Sequence, residues 1–318
     1  MAHRRCLLHI GICKTGTTSV QHVLAANRTL LLQHGYYVPR TFGPTHNHRH
    51  LPLLAVDEAC EEGRREWRVM QRRLPGLGCC PDLEMAKLLV EQDLRAELAG
   101  CPPDAWVVFS SEQLSQRLSR EADLWRLRGV LERLGFEEMR ILVYLREQVG
   151  LALSWESMEA LAGKPNPVGL EPSEQFDHRL LLQRWERVFG WNAIQARTYA
   201  RKCLCGGDIV QDVLECGLGL PQQIPLLQLG QWRNGRLGVR SLRLLQWLNR
   251  WLAADTPQPV ADVWRMRLVR WSSPPWIGGR PRQASPELVA RFAACYADSN
   301  RWVDDRYGTR LGDTFAAT

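Results

Sequence analysis

The run Cys6 to Ile12 (Cys-Leu-Leu-His-Ile-Gly-Ile) leads directly into Cys13-Lys14-Thr15-Gly16-Thr17-Thr18. Ser19 to His34 then carries apolar residues at helical spacing: Val20, Val23, Leu24, Leu30 and Leu31. A short continuous apolar run suits a strand buried on both faces, and a glycine-punctuated turn into a helix opens a βα unit. Gly35 stops the helix, and Tyr36-Tyr37-Val38-Pro39 restarts an extended segment. No other feature narrows the choice of fold as far.

The pattern recurs. Trp106 to Ser110 reads as a second buried strand with Ser111-Glu112 at its carboxyl end, Arg140 to Leu145 as a third ending at Arg146, and Ala193 to Tyr199 as a fourth. Helical spacing covers 51–73, 83–99, 118–134, 147–162, 174–189 and 208–216. Strands alternating with helices predict an α/β, three-layer fold with a central parallel sheet flanked by helices. From about residue 221 the chain is mostly helical and rich in tryptophan: Leu237 to Ala254 is amphipathic, 272–286 a Pro/Gly/Ser-rich loop, and 287–299 a helix. The expectation is a single domain over 1–318 whose helical C-terminal portion contributes to an acceptor pocket, with 272–286 as a lid and most of its tryptophans in the core or at an interface.

The net charge of +7 rests almost wholly on arginine, the lysines being Lys14, Lys87, Lys164 and Lys202. A basic balance suits a polyanionic ligand, but the arginines are dispersed and no nucleic-acid-binding module is visible. No apolar run approaches the ~18 residues of a membrane span. The ten cysteines include no Cys-x-x-Cys pair and follow neither a disulfide-framework nor a zinc-ribbon spacing. They read as reduced thiols, so a cytoplasmic protein is expected.

Gly11 to Thr18 has the frame of a Walker A loop, Gly-x-x-x-x-Gly-Lys-Ser/Thr, with one departure: Thr17 stands in the lysine position, and the lysine is Lys14. A nucleotide triphosphatase shares the charge of its β/γ-phosphates between that lysine and Mg²⁺. A reaction releasing one 5′-phosphate needs less: loop amides, the hydroxyls of Thr15, Thr17, Thr18 and Ser19, and one placed lysine.

Here the chain resembles sulfotransferases that use 3′-phosphoadenosine-5′-phosphosulfate (PAPS), bacterial members above all, through Leu8-His9-Ile10-Gly11 and Lys14-Thr15-Gly16-Thr17-Thr18-Ser19. The typical motif has proline where this chain has Cys13. The family's 3′-phosphate site, a strand ending in Arg with a Ser eight residues later, is matched by Tyr144-Leu145-Arg146 and Ser154. Tyr199-Ala200-Arg201, Gly206-Gly207-Asp208, Asn234 with Leu237-Gly238, and Arg306-Tyr307-Gly308 resemble further landmarks, although Arg236 replaces a small residue. The resemblance implies a P-loop-like fold, PAPS as donor, 3′,5′-diphosphoadenosine (PAP) as product, no metal, and Lys14, Thr15, Gly16, Thr17, Thr18, Ser19, Arg146 and Ser154 as the donor site.

In-line transfer also needs a base. His46, His48 and His50 alternate after the first βα unit, and Glu112 ends the second strand. His48 or His50 is the expected base, with Glu112 as competitor or as the group orienting the imidazole; a His-x-His-x-His zinc site is the rival use of the histidines. The acceptor, a carbohydrate, lipid or small metabolite, is not named by the sequence. A P-loop kinase or NTPase and a non-catalytic PAPS- or PAP-binding protein are the other readings.

Overall fold

The computed structural model describes residues 3–40, 47–74, 76–165, 170–221, 237–252 and 258–315. Five strands, β1 (Arg4–His9), β2 (Tyr36–Tyr37), β3 (Trp106–Ser110), β4 (Phe136–Leu145) and β5 (Ile194–Thr198), form one sheet in the order β2-β3-β1-β4-β5, with every pairing parallel. Helices α1 (Thr17–Ala26), α2 (Arg28–Gln33), α3 (Glu61–Arg73), α4 (Leu83–Ala99), α5 (Gln113–Arg117) and α6 (Glu121–Arg133) precede β4. After it come α7 (Gln148–Leu161), α8 (His178–Phe189), α9 (Ile209–Asp212), α10 (Val239–Trp251), α11 (Gln258–Trp271), α12 (Pro275–Gly278), α13 (Pro286–Tyr307) and α14 (Gly312–Phe315). The expected α/β class, a central parallel sheet flanked by helices, is what the chain adopts.

The described chain divides into two compact units. The first, 1–145, 178–232 and 303–310, holds the whole sheet. On one face of the sheet Leu7, Val108, Leu142 and Tyr144 pack against Val20 and Leu24 of α1, Leu31 of α2, Ile209 of α9 and Val213. Against the other face, α6 packs on β4 and α8 on β5, with α6 and α8 touching each other. Trp185 of α8 and Phe109 and Phe136 of the sheet are fully buried there.

The second unit, 146–177, 233–302 and 311–318, is helical. Ala160 of α7 packs with Leu242 and Leu245 of α10. Asn249 donates its amide to the Ala160 carbonyl (2.8 Å) and accepts from the buried Arg265 of α11 (2.9 Å).

Several boundaries differ from the sequence expectation. The helix expected over 19–34 is interrupted at Asn27, whose side-chain amide and backbone N–H both donate to the Val23 carbonyl (2.8 and 3.1 Å). The helix expected over 51–73 is a 3-10 turn, Leu51–Ala55, then extended backbone at Val56, then α3, which Cys60 caps by accepting from Gly63 N–H (3.2 Å). The expected loop 272–286 contains α12, and α13 runs to Tyr307 rather than ending at 299. No helix among the described residues is long and apolar enough to cross a membrane.

Candidate functional site

β1 lies at the centre of the sheet, and His9 is in register with Ser110 of β3 and Leu142 of β4. The chain leaves β1 into the glycine loop, and it leaves β3 into Ser111-Glu112, at the same end of the sheet. Open α/β sheets bind ligands at such carboxyl ends, where the chain turns to opposite sides.

The loop has unusual backbone geometry. Lys14 has φ 65° and is the one non-glycine residue with positive φ among the described residues; Gly16 follows at φ 76°. The left-handed region costs an ordinary L-residue roughly 1–2 kcal/mol, so the fold holds Lys14 against its own preference. Gly16 is the N-cap of α1 and brings no side chain to accept from the first-turn amides, and no acidic residue stands in that turn. Ser19 N–H turns back to the Gly16 carbonyl (3.0 Å), and a helix N-terminus with no acidic side chain of its own is a place where an anion is favoured. A Cβ on Gly11 would lie 2.7 Å from the Thr17 hydroxyl oxygen, so the close approach of loop and helix requires glycine there. That hydroxyl is buried and has no hydrogen-bond partner among the described residues, which fits a phosphate oxygen as its acceptor.

Thr15 differs from its expected role. It is buried, and its hydroxyl donates to the Ile12 carbonyl (2.7 Å), bracing the loop instead of offering its hydrogen to a ligand. Thr18 and Ser19 are half-buried at the start of α1. Cys13, in the place of the typical proline, is buried; burial and then the Glu112 charge push its thiol up to about 12.

Glu112 precedes α5, which is pinned to the loop: Ser115 donates to the Gly11 carbonyl (2.6 Å), and the Gln116 amide contacts the Cys13 sulfur. Burial raises the Glu112 carboxyl above the usual range, while the charges of Lys14 and Arg49 pull it back. Arg49 is not among the expected site residues, and its position between two alternating histidines is the one local signal for it. Lys14, Glu112 and Arg49 thus form one coupled group of charges.

His48 does not suit the role of base. It is buried, its Nδ1 accepts from Ser110 N–H (2.9 Å), and its Nε2 donates to the Pro39 carbonyl (3.1 Å). With both nitrogens on the backbone, the ring serves structure. His50 is also buried, at the start of the 3-10 turn. His46 lies outside the described residues.

Burial holds both His9 and His48 at about 4, below the usual 6.5. The folded chain keeps these rings neutral while the unfolded chain protonates them. Their stabilisation is complete above pH 6.5 and is lost as the pH falls toward 4, by up to roughly 3 kcal/mol per ring. Urea unfolding between about pH 7 and 5 is expected to show this decline, with a shallower slope in His48→Gln. A flat profile across that window would contradict the assignment of both rings as buried and neutral.

Arg146 and Ser154 belong to the second unit. Arg146 directly follows β4, and its Nε donates to Glu147 (3.3 Å), the carboxylate that caps α7 through Gly150 N–H (2.6 Å). Ser154 is buried, and its hydroxyl donates to the Gly150 carbonyl (2.8 Å), leaving only its acceptor capacity.

Of the C-terminal tryptophans, Trp247, Trp251, Trp264, Trp271 and Trp276 are exposed, Trp276 by 77%, so these five lie outside the core of the chain. Trp232, Asn234 and Arg236 lie outside the described residues. A cavity of about 660 Å³ follows the edge strand β5, between Arg197, Thr198, Lys202, Arg306 and Arg310, and contains none of the expected site residues.

No family model matches the chain, and no curated protein matches it. Among solved structures, the chain is similar to the crystal structure of a sulfotransferase from Alicyclobacillus acidocaldarius, at 14% identity and a TM-score of 0.47, over 98% of this chain and 99% of that one. A likeness of that degree bears on neither substrate nor mechanism.

Proposed function

We propose that the protein is a sulfotransferase moving a sulfuryl group from PAPS to a hydroxyl or amine. The observation that carries this reading is the uncapped start of α1 with the buried, unpartnered Thr17 hydroxyl, beside a lysine held in left-handed backbone. That arrangement suits one phosphate better than a triphosphate with its metal, because position 17 offers a hydroxyl and not an ammonium.

The acceptor oxygen or nitrogen attacks sulfur, the bond from sulfur to the 5′-phosphate oxygen breaks, and PAP leaves. Lys14 and the first-turn amides stabilise the charge growing on that phosphate. Glu112 takes the acceptor's proton; its raised carboxyl and its coupling to Lys14 favour it over His48, and His50 is the second candidate. Arg146 is assigned to the 3′-phosphate and Ser154 beside it, on the resemblance alone. The acceptor is a carbohydrate, lipid or small metabolite.

A thermal-shift comparison of PAP, ATP and GTP tests the class. Ligand at about a hundredfold excess over its Kd stabilises by about 2.7 kcal/mol. Protection by PAP alone is expected; equal or greater protection by ATP with Mg²⁺ would favour a kinase. Glu112→Gln is expected to keep PAP protection and lose on the order of 10²-fold or more in turnover. PAP protection without turnover on any acceptor would favour a binding protein.

A further inference from the structure

The sulfurs of Cys205 and Cys216 stand 3.0 Å apart, eleven residues apart in sequence. Cys205 opens the turn Cys205–Gly207, and Cys216 lies in the π-helical turn Val213–Gly217. Both are half-buried, so a small oxidant can reach them. A disulfide needs about 2.05 Å, roughly 1 Å closer than this.

Asp212 completes a cluster whose potential ligand atoms all lie within 4.8 Å, the outline of a three-ligand metal site. Its carboxylate argues against that use. One oxygen accepts from the Tyr144 hydroxyl (2.6 Å) and Arg197 Nε (2.5 Å), the other from Arg197 Nη2 (2.8 Å) and Cys205 N–H (2.9 Å). A carboxylate has about four acceptor positions, and these four donors take them. The Arg197 guanidinium also repels a cation. What remains available is the pair of sulfurs.

We propose that Cys205 and Cys216 form a reversible disulfide, closed by a peroxide and reopened by a dithiol. One sulfur takes an oxygen from hydrogen peroxide to give a sulfenic acid and water. The second sulfur attacks the first, the S–S bond forms and a second water leaves, so two thiol hydrogens are lost and one peroxide is reduced. The bond would bracket α9, whose Ile209 side chain lies 2.8 Å from where a Cβ on Gly16 would be. Oxidation would therefore tether the segment that backs the glycine loop.

The test uses the reduced full chain, treated with a small excess of hydrogen peroxide, then denatured, alkylated and mapped by mass spectrometry. A peptide joining Cys205 to Cys216 is expected, reversed by dithiothreitol, together with a higher Tm that C205S and C216S both lack. Recovery of both cysteines fully alkylated, or their linkage to other cysteines, would overturn the proposal. So would a stoichiometric metal that copurifies and is lost in either variant. The mapping is made on the wild-type chain, so it holds even where a variant fails to fold.

Discussion

Lys14→Ala is expected to lower sulfuryl transfer from PAPS by roughly 10²- to 10³-fold while changing the unfolding free energy by no more than about 1 kcal/mol. The charge would be lost where the leaving phosphate gathers it, yet alanine inherits the same left-handed backbone at φ 65°. Lys14→Gly separates the two effects. It should be equally inactive but more stable than Lys14→Ala, because glycine adopts that backbone at no steric cost. A second signature follows from the coupling to Glu112. Lys14 lowers the Glu112 carboxyl, so its removal should shift the residual pH profile upward. PAP release from PAPS, followed across an acceptor panel and a pH series, measures both. Turnover like that of the wild type would remove Lys14 from the mechanism.

Asp212→Ala should be among the most damaging changes to stability, at roughly 3 kcal/mol by urea unfolding. The carboxylate is fully buried, and its removal strands Arg197, Tyr144 and Cys205 N–H without their acceptor. Breaking a buried ion pair from one side costs about 3–5 kcal/mol, and the lower end applies because Arg197 keeps 25% of its side chain exposed. Burial alone would raise this carboxyl, but the bonds from Arg197, Tyr144 and Cys205 N–H hold it below its usual range. Its contribution is thus present above about pH 4 and is lost as the pH falls through the folded value. Replacing both members of the pair, as Asp212→Leu with Arg197→Met, should recover part of the loss. A cost under about 1 kcal/mol for Asp212→Ala would show that this cluster is not a structural anchor.

Much of the framework is legible in local patterns. The strand at Trp106 to Ser110 and the helix over 83–99 match the structure in their limits, because each is a continuous stretch with one dominant periodicity. The glycine loop is legible because its conformation requires particular residue types within a few positions. The structural role of His48 is hidden from the sequence because its partners, Ser110 N–H and the Pro39 carbonyl, come from other segments. Arg49 is hidden for the same reason: its coupling to Glu112 joins residues far apart in the chain.

Local order along the chain therefore determined the alternation of strands and helices and the glycine turn that opens α1, since both depend on interactions within a few residues. Tertiary structure alone decided which polar groups are engaged by the backbone, which charges meet, and that Tyr144 and Arg197 converge on Asp212. Hydrogen bonds and Coulomb forces act through space at a few ångströms, and only packing brings distant parts of the sequence that close.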